Sequence, residues 1–332
     1  MLKLFQSIFG GTEKAGRYPE SLVEAAIERA VDGTDRRLRA LSGYKKQLRP
    51  AVIHAIDHVV ELVDRFPAPA PAGRADYGTN PCLRALFSSA GNMLEMFGHN
   101  AGLEEFSTTP DKPVIALLLA EHTEKKVLGV DLVGDRVQHD VAQVVVNFSG
   151  HRLIEPAANE KDARRQLKRR AFDHLLTLAL ARIADVRGSR AELSRQRDLL
   201  RRKLGTLEQS GWSLETEEGT QTEPGKLNAE LQAIESELED LGADSGELHS
   251  RLDIVTKLLG NAEEQLWSTE LVIHLDRMNI KRSAQAASAK EITMQELHNA
   301  RGQHKVALMV SLTPKELPER ENFYSAAARY LT

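Results

Sequence analysis

The sequence predicts an α+β protein, and three observations carry that expectation. Long stretches place apolar residues every three to four positions, two distant blocks alternate with β-branched residues, and a pair of leucine-rich tracts lies between those blocks. Of 332 residues, 41% are hydrophobic and 28% charged but only 5% aromatic, which suits long helices and excludes collagen, disorder throughout and a disulfide scaffold. Cys82 is the single cysteine, so no intrachain disulfide forms. The net charge of -4 gives no global attraction to nucleic acid or to an anionic membrane.

Residues 1–16 read as a short amphipathic segment. Leu2, Phe5, Ile8 and Phe9 share a face if 2–9 is helical, which suggests peripheral membrane contact, although one Lys on so short a face binds weakly. The apolar run is too interrupted for a secretory leader, and no later run approaches the ~18 apolar residues of a spanning helix. A cytoplasmic, soluble protein is the expectation.

Residues 17–109 form a helical region. Leu22, Ala26, Ile27 and Ala30 make one stripe, and Val52, Ile56, Val59 and Val63 make a second, with Pro50 expected in the first turn of that second helix. The Pro/Ala run at 67–73 cannot continue a helix and reads as an extended spacer. Asn80-Pro81 has the form of an N-cap followed by Pro at the first helical position. It opens a helix through Leu83, Leu86, Phe87 and Met93 toward Phe97. Gly98 to Pro113 reads as a loop.

At Val114 the period becomes that of a strand. Val114 to Leu119, Val127 to Val133 and Val137 to Phe148 are expected as separate strands, divided at Thr123-Glu124-Lys125 and Gly134-Asp135, with Ser149-Gly150 turning into a short edge strand at 152–154. Much later Thr269, Leu271, Ile273 and Leu275 alternate, and Ile292 to Leu297 and Lys305 to Leu312 flank a turn at Arg301-Gly302. Neither block alone has enough strands to bury its faces, so 110–160 and 268–315 are expected to share one small antiparallel sheet. Residues 316–332 remain as a C-terminal tail.

The segment between the blocks, 161–267, reads as an inserted coiled-coil hairpin. Leu176, Ala179, Ile183, Val186, Arg190, Leu193, Arg197, Leu200 and Leu204 step by three and four, as do Leu227, Leu231, Ile234, Leu238 and, further on, Leu248, Leu252, Val255 and Leu259. Charge selects the pairing. Residues 161–205 carry fourteen Lys/Arg against five Asp/Glu, whereas 206–247 carry one Lys against twelve Asp/Glu. Parallel self-pairing would set like against like, while folding back near Glu217 brings Arg197 toward Glu237 and Arg190 toward Asp244. Such an arm spans roughly 60 Å.

Few residues announce chemistry. His54, His58 and Glu61 have a metal-ligand spacing, but they lie opposite the Val52/Ile56/Val59/Val63 stripe and are expected to face solvent, so no metal is assigned. His122, His139, His151, His274, His298 and His304 fall in or beside β segments, where linear sequence does not say which of them meet. Cys82, next to a helix start, is open to two readings, a thiol of lowered pKa or a small packed hydrophobe. No phosphate loop, dinucleotide fingerprint or nucleophile elbow occurs, and no cofactor or catalytic residue is assigned. The basic clusters at Arg36-Arg37-Arg39 and at Arg164-Arg165 with Lys168-Arg169-Arg170 lack interleaved aromatics, so solvated helix faces are favoured over nucleic-acid binding.

The function expected from these features is that of a non-catalytic scaffold or adaptor. It would meet a protein partner through the tip of the arm, Gly211 to Gly225, with Trp212 as an anchor beside Leu214, Glu215, Glu217 and Glu218. Two alternatives stand beside it: an enzyme whose pocket lies between the helical region and the sheet, which clustered histidines with an acid would favour, and a peripheral membrane adaptor using residues 2–9. Homo-oligomerisation through the hairpin is compatible with all three.

Overall fold

The computed structural model describes residues 18–106, 109–133, 136–209, 224–240, 247–286 and 288–318. They contain helices and an antiparallel sheet, and they separate into two compact units, each assembled from distant parts of the chain. One holds the described residues up to Ile56 together with those of Phe172–Ala262. The other holds Asp57–Ala171 and the described residues from Glu263 onward.

The first unit begins with α1 (Glu20–Gly33), whose Leu22, Val23, Ala26, Ile27, Ala30 and Val31 are buried as their spacing requires. A 3-10 turn at Arg36–Ala40 follows, capped by the Asp35 side chain on Arg37 N. α2 (Tyr44–Asp64) follows, with Val52 and Ile56 buried in its part of this unit and Val59 and Val63 buried in its continuation beyond Ile56, which belongs to the second. Pro50 lies inside α2 rather than in its first turn, because the helix starts earlier, at Tyr44. α5 (Glu160–Gln209) is a single 50-residue helix, and α6 (Pro224–Asp240) packs on its far end through Leu200, Leu204, Leu227, Ile234 and Leu238. α7 (Glu247–Gly260) buries Leu252, Val255, Leu258 and Leu259 together with one charged side chain, Arg251.

The second unit is organised on the sheet, in the order β3-β2-β6-β5-β4, where β2 is Val114–Val133, β3 Arg136–Ala157, β4 Leu266–Leu275, β5 Lys290–Asn299 and β6 His304–Leu312. The two sequence-distant blocks meet along β2 and β6, with Val114 opposite Leu312 and Ala120 opposite Val306. A two-residue strand, β1 (Ala70–Pro71), runs parallel to β6, so part of the Pro/Ala run serves the sheet instead of acting only as a spacer. Hydrogen bonding also returns to its origin: Lys281 N donates to Val144 O and Val146 N to Asn279 O, both at 2.8 Å, while Arg282 N donates to His274 O. The turn after β4 thus joins β4 to β3.

β2 and β3 are each continuous, where three short strands and an edge strand were expected. Thr123-Glu124-Lys125 lies within β2, opposite Asn147, Val146 and Val145. Register shifts by one residue at three places, and on β3 each coincides with a left-handed residue: Asp140 (φ 61°), Gly150 (φ 61°) and Glu155 (φ 50°). These are β-bulges, each an extra residue that bends the ribbon. Ser149-Gly150 is therefore a bulge and not a turn. Gly129 is required for another reason: a Cβ there would sit 2.2 Å from Oε1 of buried Gln143, whose Nε2 donates to Val130 O. The turn expected at Gly134-Asp135 falls outside the described residues.

Both faces of the sheet are covered. On one, Ala116, Leu118, Ala120, Val306, Leu308 and Met294 pack with Leu83, Leu86, Met93, Leu94 and Phe97. These last come from α3 (Pro81–Leu86) and α4 (Ala90–Gly98), two helices where one was expected, because Phe87 is extended and Ser89 caps α4 on Asn92 N. Asn80 accepts from Cys82 N and Leu83 N as an N-cap. The region after Gly98, expected to be a loop, holds a 3-10 helix at Ala101–Phe106. On the other face Ile115, Leu117, Ala307 and Met309 pack with Val63 of α2, with Phe66 just after it, and with Ala163 and Leu167 of α5. Arg164 ties these two helices together by donating to Val63 O at 2.8 Å and Phe66 O at 2.9 Å.

Candidate functional site

The register places five aromatic rings in one row across the sheet. Phe148 of β3 is opposite His122 of β2, His304 of β6 is opposite His298 of β5, and His298 is opposite Trp267 of β4. Ring centroids lie 5.6 Å apart for Phe148 and His122, 6.0 Å for His304 and His298, and 5.5 Å for His298 and Trp267, all stacked. Side chains alternate on a strand, so this row shares the face of Ala120, Val306 and Leu118 and continues it beyond the apolar core.

Glu296, two residues before His298 on the same face, supplies the charge. His304 Nδ1 lies 2.9 Å and His122 Nδ1 3.4 Å from Glu296 Oε1, and His298 Nε2 lies 3.5 Å from Oε2. Thr269 Oγ1 meets His298 Nε2 at 2.8 Å. The Glu296 side chain is only 12% exposed. Burial raises its carboxyl pKa, but the bonds from His304 and His122, with the charges of His298 and His122, outweigh that and hold it below the ordinary 4.5. His122 Nε2 is buried, has no hydrogen-bond partner among the described residues, and stands 3.9 Å from Glu124 Oε1. One carboxylate is thus shared by three imidazoles. No group of three or more metal-ligating side chains with suitable geometry occurs among the described residues.

The expected pairing residues are placed as follows. Arg197 bonds its neighbour Asp198 at 2.9 Å, and it is Arg201, one turn on, that reaches across to Glu235 of α6 at 2.5 Å. Arg190 is half-buried and Glu237 exposed. Asp244 lies outside the described residues, as do Trp212, Leu214, Glu215, Glu217 and Glu218. Residues 2–9 lie outside them too, and no described helix is long and apolar enough to cross a membrane.

The other candidates resolve locally. His58, expected in solvent, is half-buried with Nε2 2.6 Å from Leu266 O, while His54 and Glu61 are exposed and Glu61 pairs with Arg65. Cys82 Sγ lies 3.6 Å from Thr293 O and burial pushes its thiol pKa up, which supports the packed reading over the activated one. His151 stacks on Phe87 at 4.6 Å, and burial, only partly offset by a backbone hydrogen bond with Leu86, lowers its pKa.

The clustering around Glu296 was half legible. A tight turn at Arg301-Gly302 brings His298 and His304 opposite each other, and the i, i+2 step adds Glu296 to that face. His122 and Trp267 depend on the order of strands that are distant in sequence, which no local pattern encodes. Comparison of the chain with protein-family models, with curated proteins and with solved structures returns no match.

Proposed function

We propose that this chain is a non-catalytic adaptor that engages a protein partner through a coiled-coil arm formed by α5 and α6. The observation that supports the reading is the separate apolar cluster of Leu200, Leu204, Leu227, Ile234 and Leu238, with Leu193 and Leu231 at its margin. Among the described residues only these two helices contribute to it, and the Arg201–Glu235 pair crosses between them in the sense that the charge blocks favour. A thin two-helix cluster contributes little core for its length, so its use in this reading is reach, and the acidic, Trp212-bearing segment between the helices is the contact surface. The test compares native complexes of the full chain with those of a variant in which 211–225 is replaced by a short Gly/Ser turn. A stoichiometric partner lost with the tip, and recovered by purified wild type alone, supports the adaptor; unchanged partners, or none, overturn it.

A second reading, an acid–base centre in the sheet unit, is favoured by Glu296 with His122, His298 and His304 and by the unsatisfied His122 Nε2. It requires the three rings to exchange protons as a coupled set. Imidazole nitrogen spectra across neutral pH test this. Coupled titration in wild type that becomes independent in Glu296→Gln supports the centre, and independent titration in wild type rejects it.

A further inference from the structure

A second feature of the sheet unit stands apart from both readings. α3, the turn after β4 and the start of β5 enclose a cleft of about 420 Å³. Three cations line it from three different elements: Arg84, Arg277 and Lys290. None of the three forms an ion pair among the described residues, whereas Lys281 pairs with Glu124 and Lys305 with Glu121. The one acid lining the cleft is already committed. Asp276 Oδ1 accepts from Met278 N at 2.8 Å and Ile280 N at 3.0 Å, and its Oδ2 accepts from Arg282 Nε at 2.9 Å.

The walls are fixed as well as charged. Asn279 Nδ2 donates to Ala85 O at 2.8 Å, tying the turn to α3, and the same turn is bonded to β3 through Asn279 O and Lys281 N. Between the cations the lining is apolar, with Leu275, Ile292 and Ala289. Concentrating three unneutralised cations in a concavity raises the local potential and carries a repulsive cost that an anion relieves. Guanidinium groups match phosphate oxygens two at a time, and a single carboxylate would leave one or more of the cations unmatched. The volume lies in the range of small-molecule sites, roughly 300–1,000 Å³.

From this we infer that the cleft binds a small phosphorylated organic molecule, its phosphates held by Arg84, Arg277 and Lys290 and its organic part laid against Leu275, Ile292 and Ala289. The inference does not depend on the arm or on the Glu296 cluster. It is tested by titrating the full chain with ADP, pyrophosphate and adenosine in a calorimeter at low and raised salt. ADP is expected to bind about tenfold or more tightly than either fragment, and raised salt to weaken it. Arg84→Gln and Lys290→Gln should each weaken ADP about tenfold while unfolding at the wild-type temperature, and Arg36→Gln, in the other unit, should leave affinity unchanged. Absence of binding by all three probes, or ADP affinity that survives both cleft substitutions, overturns the site. Pyrophosphate binding as tightly as ADP overturns the role given to the apolar wall.

Discussion

Arg251 of α7 donates through Nη1 to Oδ2 of Asp35, 216 residues away in sequence, and through Nη2 to Glu247 one turn back on its own helix. The Arg251 side chain is 9% exposed and that of Asp35 13%, so the pair is largely withdrawn from water. Truncating Arg251 leaves the largely buried Asp35 carboxylate to the exposed Arg37 alone. Arg251→Ala is expected to lower unfolding stability by about 3 kcal/mol, read from the midpoint of a urea titration. A loss under about 0.5 kcal/mol would place the ion pair among those that contribute nothing measurable.

The same carboxylate sets an acid limb. Burial works to raise the pKa of Asp35, but hydrogen bonds from Arg37 and Arg251 outweigh it and bring the value to about 2 from an ordinary 3.8. A folded-state pKa below the unfolded one means that the stabilisation is complete above 3.8 and disappears as pH falls through 2. Asp35 should therefore account for about 2 kcal/mol of the stability lost across that interval. Asp35→Asn should flatten the slope there and leave the rest of the profile unaltered, as measured by denaturant titrations at successive pH values.

Two bulge positions should respond with opposite signs. Gly150 holds φ 61°, and a Cβ there would also approach Glu121 Cδ at 3.3 Å, so Gly150→Ala is expected to cost about 1 kcal/mol. Asp140 has the same φ and is exposed, so Asp140→Gly relieves backbone strain and should gain up to about 1 kcal/mol. Thermal unfolding of both variants checks the pair. A stabilised Gly150→Ala would show that the β3 ribbon does not require the left-handed conformation.

Cys82 is expected to alkylate slowly. Its thiol pKa is raised by burial, with opposing but smaller backbone hydrogen bonds, so the thiolate fraction at mildly alkaline pH falls below that of a free cysteine. Iodoacetamide labelling followed by intact-mass measurement should show a native rate well below the rate in denaturant. Equal rates would refute the packed environment.

Helical elements were the most legible part of the sequence, since Leu22 to Val31 and Val52 to Val63 carry their burial pattern in their own spacing. The union of the two β blocks was legible from a burial argument alone. β2 was divided at Thr123-Glu124-Lys125 because that polar run resembles a turn, and β3 because its alternation is interrupted at each bulge: Val146 and Phe148 face the same core as Leu153, an odd number of residues later. A reader following period two breaks the strand there. Pro50 misled for a different reason. Seven residues into α2 it is compatible with a helix already under way, so tertiary packing overrode a residue that usually marks a start. The Glu296 cluster depends on strand order, and the cationic cleft on a turn that crosses back to β3, relationships spread over more than a hundred residues.

The three bulges also divide β3 into positions that differ in their tolerance to the loss of a codon. Each of Asp140, Gly150 and Glu155 is surplus to the pairing with β2. Deleting one straightens the ribbon yet leaves every side chain on the face it had. Deleting any regularly paired neighbour shifts the following residues by one and turns inward groups outward, Phe148 of the aromatic row among them. The strand is therefore shortened safely at three places, and a gap elsewhere inverts it.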